Sequence, residues 1–246
     1  MADGQKQAWL DYSKGISIDH IKQSYQNPTS FQSEFNVLLH KVISENNFTD
    51  AIEIGCEAGI SLMLLNDALK RSAFLDYDHT ILEKVALACK ALGLKNTECI
   101  NEDMFTMESI ADETFDLSYN SGVIEHYTKE VRTAAIKSYA RITKKGGYVI
   151  VAYPNHHSLP YRMSYLIGNM IGKKIWPWPK EYKFYSLQDE MEAAGLQYVS
   201  RTTMDRHTIF YQWITKYKLT RGFFMLLDKF MHFEGYLTIC IAKKPN

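Results

Sequence analysis

The sequence predicts an α/β fold: a doubly wound, mostly parallel sheet of seven strands with helical and aromatic lid insertions. Short apolar runs alternate with stretches of helical periodicity along most of the 246 residues, which is the pattern of a parallel sheet covered by helices. The first apolar run leads into a turn containing Gly55 and Gly59, and an acidic residue, Asp76, ends the second run. Because ligands of such sheets bind beyond the carboxyl ends of the strands, these turns are the first candidates for a site.

The apolar runs and the stretches between them define the predicted elements. Gly93 and Gly195 are expected to end helices, and Ser186 with Asp189 is expected to begin one. The orientation of the last strand is left open by the sequence alone. Strands are predicted near 50–55, 73–77, 97–102, 115–120, 147–153, 197–203 and 236–243, and helices near 60–70, 79–92, 128–143 and 186–194.

The whole chain, 1–246, is predicted to form one domain with additions to the basic fold. Residues 1–48 contain a polar and aromatic stretch followed by a helix, which Thr29 and Gln32 begin as a capping box. The first 28 residues are either a loose tail or a flap over the ligand. The stretches 154–185 and 205–235 are rich in aromatic residues and longer than the fold requires, so we expect them to act as lids.

A glycine turn that opens a helix lets a ligand approach the backbone and offers it the unpaired N–H groups of the helix N-terminus. Gly55 and Gly59 belong to such a turn, and Asp76 follows Gly55 by 21 residues. An acid at the end of the next strand is placed to accept hydrogen bonds from a ribose diol. The combination predicts a nucleoside cofactor.

The run Glu53-Ile54-Gly55-Cys56-Glu57-Ala58-Gly59 resembles the acidic-x-G-x-G-x-G signature of class I S-adenosylmethionine-dependent methyltransferases. The stretches 74–78, 101–105, 115–120 and 141–151 match further segments of that family in order. The resemblance implies a Rossmann-like methyltransferase fold with a reversed seventh strand, S-adenosyl-L-methionine as cofactor and methyl transfer as activity. The segment 123–126 is similar to that of the quinone-biosynthesis branch, which acts on small molecules.

The resemblance also implies which residues hold the cofactor. Asp76 would bind the ribose hydroxyls, Asp103 would lie near the adenine amino group, and Met104 would pack on the adenine ring. Glu57 replaces the middle glycine of the signature, where the methionine end of the cofactor usually lies. The implied set is Glu53, Gly55, Cys56, Glu57, Gly59, Asp76, Tyr77, Asp103, Met104 and Asn120.

Four histidines follow strands of the predicted sheet, and histidine can accept a proton near neutral pH. His126, His156, His157 and His207 are therefore candidates for a general base. Position is the only argument for them, and a structural or solvated histidine is the alternative for each. No metal site is predicted, because Gly122 stands where some relatives carry a glutamate that completes one.

Composition limits the partners. The 28 basic and 28 acidic residues balance, so no general attraction to nucleic acid is expected. The four cysteines are irregularly spaced, and neither a signal peptide nor an apolar run of membrane-spanning length is present. These features predict a cytoplasmic protein with reduced thiols and without a transmembrane segment.

The sequence thus predicts methyl transfer to an oxygen, nitrogen or carbon atom of a small, apolar or aromatic acceptor. A nucleic-acid or protein methyltransferase is disfavoured by the neutral charge and by the absence of an Asp/Asn-Pro-Pro-aromatic motif. A non-catalytic binding subunit is the other alternative, and Glu57 is the feature that supports it. The aromatic stretches would equally suit a homodimer interface, and Lys173, Lys174, Trp176 and Trp178 leave a peripheral membrane contact open.

Overall fold

A computed structural model describes residues 3–170, 181–205, 222, 226–227, 229–231 and 233–246. Seven strands are present among them, each within a few residues of a predicted one. They are β1 (Asp50–Ile54), β2 (Arg71–Asp76), β3 (Thr97–Asn101), β4 (Phe115–Ser121), β5 (Thr143–Pro154), β6 (Gln197–Met204) and β7 (Leu237–Lys243).

Eight α-helices are assigned within the described residues. They are α1 (Asp3–Lys14), α2 (Ile18–Gln26), α3 (Ser30–Asn46), α4 (Ile60–Met63), α5 (His79–Leu92), α6 (Lys129–Ile142), α7 (Leu159–Met170) and α8 (Gln188–Ala193), with 3-10 helices at Asn66–Ala68 and Ile124–His126.

The strands form one sheet in the order β3-β2-β1-β4-β5-β7-β6. The first five strands run parallel, whereas β7 pairs antiparallel with both β5 and β6. The connections therefore leave β1 toward one edge and β4 toward the other. Strands β1 and β4 are neighbours whose following connections run in opposite directions. This switch point opens a crevice at the carboxyl ends of the two strands.

Helices cover both faces of the sheet, and each face has its own apolar core. Phe35 and Leu39 of α3 pack on one face together with Val85 of α5. Ile136 and Tyr139 of α6 belong to the core of the other face. The central strand supplies both cores by alternation, since Ala51 belongs to the first and Ile52 to the second. The predicted doubly wound α/β fold is confirmed.

Most predicted helix boundaries rest on local capping chemistry and are confirmed. Thr29 and Gln32 form the capping box of α3. The Asp78 carboxylate accepts the Thr80 N–H at 2.9 Å and caps α5. Gly93 ends α5 in the left-handed conformation, with φ +72°.

Two helix predictions need correction. The helix expected near 60–70 ends at Met63. The Asn66 side chain ends it because it bonds to residues further along the chain. Its amide donates to the Ser72 hydroxyl at 3.1 Å and to the Lys95 carbonyl at 2.7 Å. Helix α8 begins at Gln188 rather than at Ser186; the Ser186 hydroxyl accepts the Gln188 N–H at 3.1 Å.

Helices α1 and α2 account for residues 3–14 and 18–26, the stretch for which the sequence left two interpretations open. Three contacts attach α1 to the β2–α5 connection and to α5. The Ser13 hydroxyl donates to the Asp78 carboxylate. The Lys84 ammonium donates to the Ser13 carbonyl at 3.0 Å, and the Tyr77 hydroxyl donates to the Lys6 carbonyl at 3.4 Å. The N-terminal segment is therefore packed against the carboxyl end of β2.

The turn between β1 and α4 depends on Gly59, which has φ +67° and a neighbouring ring that leaves no room for a side chain. A Cβ atom there would lie 2.7 Å from the Phe74 ring. We expect Gly59→Ala to lower the free energy of unfolding by about 1–2 kcal/mol for the left-handed backbone and by about 1–3 kcal/mol more for overpacking. Urea denaturation measures the loss.

Gly93→Ala is the matched control, because Gly93 has the same backbone conformation but nothing within 4 Å of the added Cβ atom. The free energy of unfolding of the Gly93→Ala protein should fall only by the backbone contribution, about 1–2 kcal/mol. Equal losses in the two variants would contradict the packing role assigned to Gly59.

Candidate functional site

A cavity of 330 Å³ opens at the switch point, at the carboxyl ends of β1, β2 and β4. Its volume lies in the range of small-molecule sites, about 300–1,000 Å³. One end is lined by the β1–α4 turn, the end of β2 and the loop after β3. The other end is lined by the loop after β4, by Pro154 and Glu181 of the first aromatic stretch, and by Tyr236, which follows the second stretch. Helix α1 contributes Trp9, Tyr12 and Ser13 to the wall.

Asp76 lies at the centre of the first end, with 8% of its surface exposed. One carboxylate oxygen accepts the Glu57 N–H at 3.1 Å, and the other accepts the Asp78 N–H at 3.0 Å. Burial raises the pKa of Asp76, although these N–H groups oppose the rise. The Tyr77 N–H also acts on this carboxylate. Two carboxylate oxygens offer about four acceptor positions, so a position remains for a hydroxyl group of a ligand.

Glu57 adopts a left-handed backbone conformation, with φ +47°, which is the region that favours glycine. Its side chain lines the cavity and is hydrogen-bonded to the Tyr12 hydroxyl of α1. Burial raises the pKa of Glu57 to about 7, and the negative charge of Asp76 adds to the rise. Glu57 therefore places a titratable group in the cavity.

The loop after β3 supplies Asp103 and Met104 to the same end. The Asp103 carboxylate accepts the Phe105 N–H at 3.0 Å. The Met104 sulfur accepts a hydrogen bond from the buried Tyr139 hydroxyl at 3.2 Å, which orients the thioether. Tyr77, which directly follows β2, also lines the cavity. Together these groups form a slot with apolar walls, and the Asp103 carboxylate at its edge can accept a hydrogen bond.

Four of the predicted cofactor residues lie outside the cavity lining. The Glu53 carboxylate accepts the Leu62 N–H at 3.3 Å and so supports the turn from behind. The amide of Asn120 donates to the Tyr139 hydroxyl at 3.2 Å. Cys56 is buried, and Gly59 begins α4. The structure brings to the cavity Gly55, Glu57, Asp76, Tyr77, Asp103 and Met104.

Of the four histidines, His126 alone is among the described residues that line the cavity. Its ring meets the Trp9 ring edge-on, with centroids 5.9 Å apart. His156 lies one layer behind, with Nε2 3.1 Å from the Glu181 carboxylate. His157 packs against the Tyr185 ring at 5.1 Å, and His207 lies outside the described residues.

Sequence reasoning missed Trp9, Tyr12, Glu125, Glu181 and Tyr236, all of which line the cavity. Glu125 could have been predicted, because it is an acidic residue in the loop that follows the carboxyl end of β4. The other four reach the cavity from distant parts of the chain, through the docking of α1 and through the segments before β6 and β7. No periodicity or spacing in the sequence indicates those contacts.

Comparison with known proteins identifies the domain. Residues 52–151 match the family model of a methyltransferase domain. Magnesium protoporphyrin IX methyltransferase from Synechocystis PCC 6803, solved with bound S-adenosylhomocysteine, superposes with a TM-score of 0.61 at 15% identity, covering 87% of this chain and 83% of that one. The N-methyltransferase NodS from Bradyrhizobium japonicum WM9 gives a TM-score of 0.57 at 14% identity, covering 89% and 99%.

The [4+2]-cyclase SpnF also superposes, with a TM-score of 0.59 at 15% identity, covering 89% of this chain and 83% of that one. No curated protein sequence matches the chain. Residues 52–151 therefore match a methyltransferase domain, and the chain shares the fold of the solved methyltransferases. S-Adenosylmethionine stays the cofactor that the sequence predicts. The similarity to the quinone-biosynthesis branch stays a prediction.

The residues at the first end of the cavity fit the adenosine part of this cofactor. Asp76 has a free acceptor position for a ribose hydroxyl, and the slot beside Met104 and Tyr77 suits a flat ring. When bound, the cofactor supplies a methyl group already activated by a positive sulfur. Among the described residues no cluster of three or more metal-ligating side chains occurs, and no helix there is long and apolar enough to cross a bilayer.

Three buried acids at the site make stability depend on pH. Burial raises the pKa of Glu53 and of Glu125 from 4.5 to about 8, and that of Glu57 to about 7. From pH 4.5 up to about 7 for Glu57, and up to about 8 for Glu53 and Glu125, the unfolded chain ionises these groups while the folded chain keeps them protonated. The free energy of unfolding should therefore fall as pH rises through this window, by at most about 1.4 kcal/mol per pH unit for each group.

Urea denaturation of the ligand-free protein at pH 5.5, 7 and 8.5 measures this dependence. Glu53→Gln removes one of the three groups and should flatten the decline. Glu83→Gln, an exposed substitution on α5, should leave it unchanged. A Glu53→Gln protein with the wild-type pH dependence would contradict the assignment.

Proposed function

We propose that this protein transfers a methyl group from S-adenosylmethionine to an oxygen, nitrogen or carbon atom of a small acceptor with an apolar or aromatic body. One observation carries the proposal: a single cavity is lined both by the predicted cofactor residues and by a separate set beyond them. That second set contains Glu125, His126, Glu181, Pro154 and Tyr236. The space beyond the cofactor residues is where an acceptor would meet the methyl group.

A small acceptor fits the cavity better than a macromolecule does. Helix α1 stands over the cavity, with Trp9 against His126 and Tyr12 against Glu57. A duplex or a folded protein would need an open face at this place. The balanced charge of the chain also provides no general attraction to nucleic acid.

The two aromatic stretches, 154–185 and 205–235, are proposed as the lids of this site. Their described ends support the assignment, since Pro154 and Glu181 line the cavity and Tyr236 follows the second stretch directly. The Tyr161 ring also packs against the Tyr236 ring, with centroids 5.1 Å apart. Trp176, Trp178 and most of 205–235 lie outside the described residues.

The chemistry asks mainly for alignment, because the transferred methyl group is already activated. Holding two reactants in a near-attack geometry can lower the barrier by about 7–11 kcal/mol. The walls from α1 and from the loop after β4 would hold the acceptor and exclude water. A general base adds a smaller factor, about 10²–10⁴, where the acceptor must lose a proton.

Cofactor binding tests the first part of the proposal. S-Adenosylhomocysteine should bind to the intact protein in calorimetry, and Asp76→Ala should weaken the binding by about 1.5–3 kcal/mol because a charged acceptor is lost. Asp67→Asn, exposed on the 3-10 helix Asn66–Ala68 and outside the cavity, is the control. Absence of binding to the wild-type protein would favour a non-catalytic role and end the proposal.

A further inference from the structure

The acceptor end of the cavity contains a carboxyl group that the fold pairs only in part, since Glu125 Oε1 lies 3.8 Å from His126 Nε2. Glu125 has 3% of its surface exposed and lines the cavity. Its Oε2 atom has no hydrogen-bond partner among the described residues. A buried polar atom without a partner costs about 1–3 kcal/mol, so an unpaired carboxyl oxygen on a side chain that lines a cavity indicates a group that a ligand completes.

The backbone around Glu125 holds the carboxyl group in place. The Glu125 carbonyl accepts the Tyr182 N–H at 2.7 Å, which ties the loop after β4 to the segment before α8. Gly122 precedes it with φ +76°, and a Cβ atom there would lie 3.9 Å from Glu125 Oε1. The backbone of Glu125 is thus held by a second chain segment.

A second carboxyl group, that of Glu181, lines the same end and is already held in its ionised form. Its Oε2 atom accepts a hydrogen bond from the Tyr161 hydroxyl at 2.9 Å and lies 3.1 Å from His156 Nε2. Burial would raise the pKa of Glu181, but these two partners outweigh burial and lower it. The negative charge at this end therefore persists near neutral pH.

Aromatic rings surround the two acids. Trp9 and His126 form one wall, and Tyr236, packed on Tyr161, forms another. Aromatic faces attract cations, whereas they offer nothing to a carboxylate or a phenolate. Acidic groups among aromatic rings are the combination that favours an ammonium group.

We propose that the methyl acceptor is a protonated amine, bound between Glu125 and Glu181, and that Glu125 accepts the proton that the amine must lose. The inference rests on the proposed function and names the class of its acceptor. An amine nitrogen has no lone pair while it carries its extra proton, so a base must act before methyl transfer.

The step balances as follows. A proton passes from the ammonium nitrogen to ionised Glu125, which frees the nitrogen lone pair. That lone pair forms the new N–C bond while the C–S bond breaks, and the electron pair of the broken bond stays on sulfur. The products are a methylated ammonium ion, a neutral thioether and protonated Glu125, which returns its proton to solvent after release.

Binding of such an acceptor should release a proton. Burial raises the pKa of Glu125 to about 8, and the charge of Glu181 adds to the rise, so Glu125 is mostly protonated at pH 7. An ammonium group beside it favours the ionised carboxylate. The other titratable groups at this end, from each element around Glu125, are His126, Tyr127, His156, Tyr161, Glu181 and Tyr236.

Calorimetry on protein saturated with S-adenosylhomocysteine tests the inference with three probes that share an aromatic body. The probes are 2-phenylethylamine, 2-phenylethanol and 3-phenylpropanoate. We expect the amine to bind most tightly, and we expect Glu125→Gln to weaken that binding about 10- to 100-fold. Repeating the titration at pH 7 in buffers of different ionisation enthalpy should show release of nearly one proton, which Glu125→Gln abolishes.

Glu108→Gln is the matched control, because it removes the same charge from an exposed position outside the cavity. Thermal unfolding and S-adenosylhomocysteine affinity establish that each variant is folded. The inference is overturned if the amine binds no better than the alcohol, if no probe binds, or if Glu125→Gln weakens S-adenosylhomocysteine as much as the amine. The last result would assign the carboxyl group to the cofactor.

A methyl-transfer assay with labelled cofactor on the same probes separates the inference from the proposed function. Methylation of the amine, slowed at least about tenfold in Glu125→Gln, supports both. Methylation of the alcohol or the acid in place of the amine would overturn the inference and leave the proposed function standing. Failure to bind S-adenosylhomocysteine would remove the proposed function itself.

Discussion

The carboxylate of Asp76 joins the parts on which the site depends. It accepts N–H groups from Glu57, in the turn after β1, and from Asp78, at the start of α5. These two bonds tie the turn after β1 to the end of β2 and to the start of α5. Asp78 in turn accepts the Ser13 hydroxyl and so fixes α1. Asp76 and Asp78 together therefore connect the turn after β1, the start of α5 and α1 at this part of the cavity.

Burying acids at this site has a cost, and a cationic ligand offsets it. Glu53, Glu57 and Glu125 are each buried enough that their pKa rises to about 7 or 8. Desolvation disfavours a carboxylate, and a nearby positive charge restores it. Both the sulfonium of the cofactor and a protonated amine carry that charge. The same residues that weaken the ligand-free protein at high pH thus favour occupied states of the site.

The cavity has two ends with different chemistry. Near β2 and β3 it combines the Asp76 carboxylate with the Met104 side chain. Near β4 it combines two carboxyl groups with aromatic rings, and Glu181 there is held ionised by Tyr161 and His156. The sequence predicted an apolar or aromatic acceptor; the rings agree with that interpretation, and the acids add a charged group to it. Helix α1 spans both ends through Tyr12 and Trp9.

The sequence by itself determined the elements that rest on local chemistry. Alternating apolar runs predicted the strands, and the capping box at Thr29 with the stop at Gly93 predicted helix ends, because these signals act within one turn of the chain. Spacing also predicted Asp76 as a binding residue, and Asp76 lines the cavity. Tertiary structure decided what depends on distant contacts. Asn66 ended a helix by bonding to Ser72 and Lys95, and Glu181 and Trp9 reached the cavity through packing. Those contacts follow from burial and topology, which no local pattern encodes.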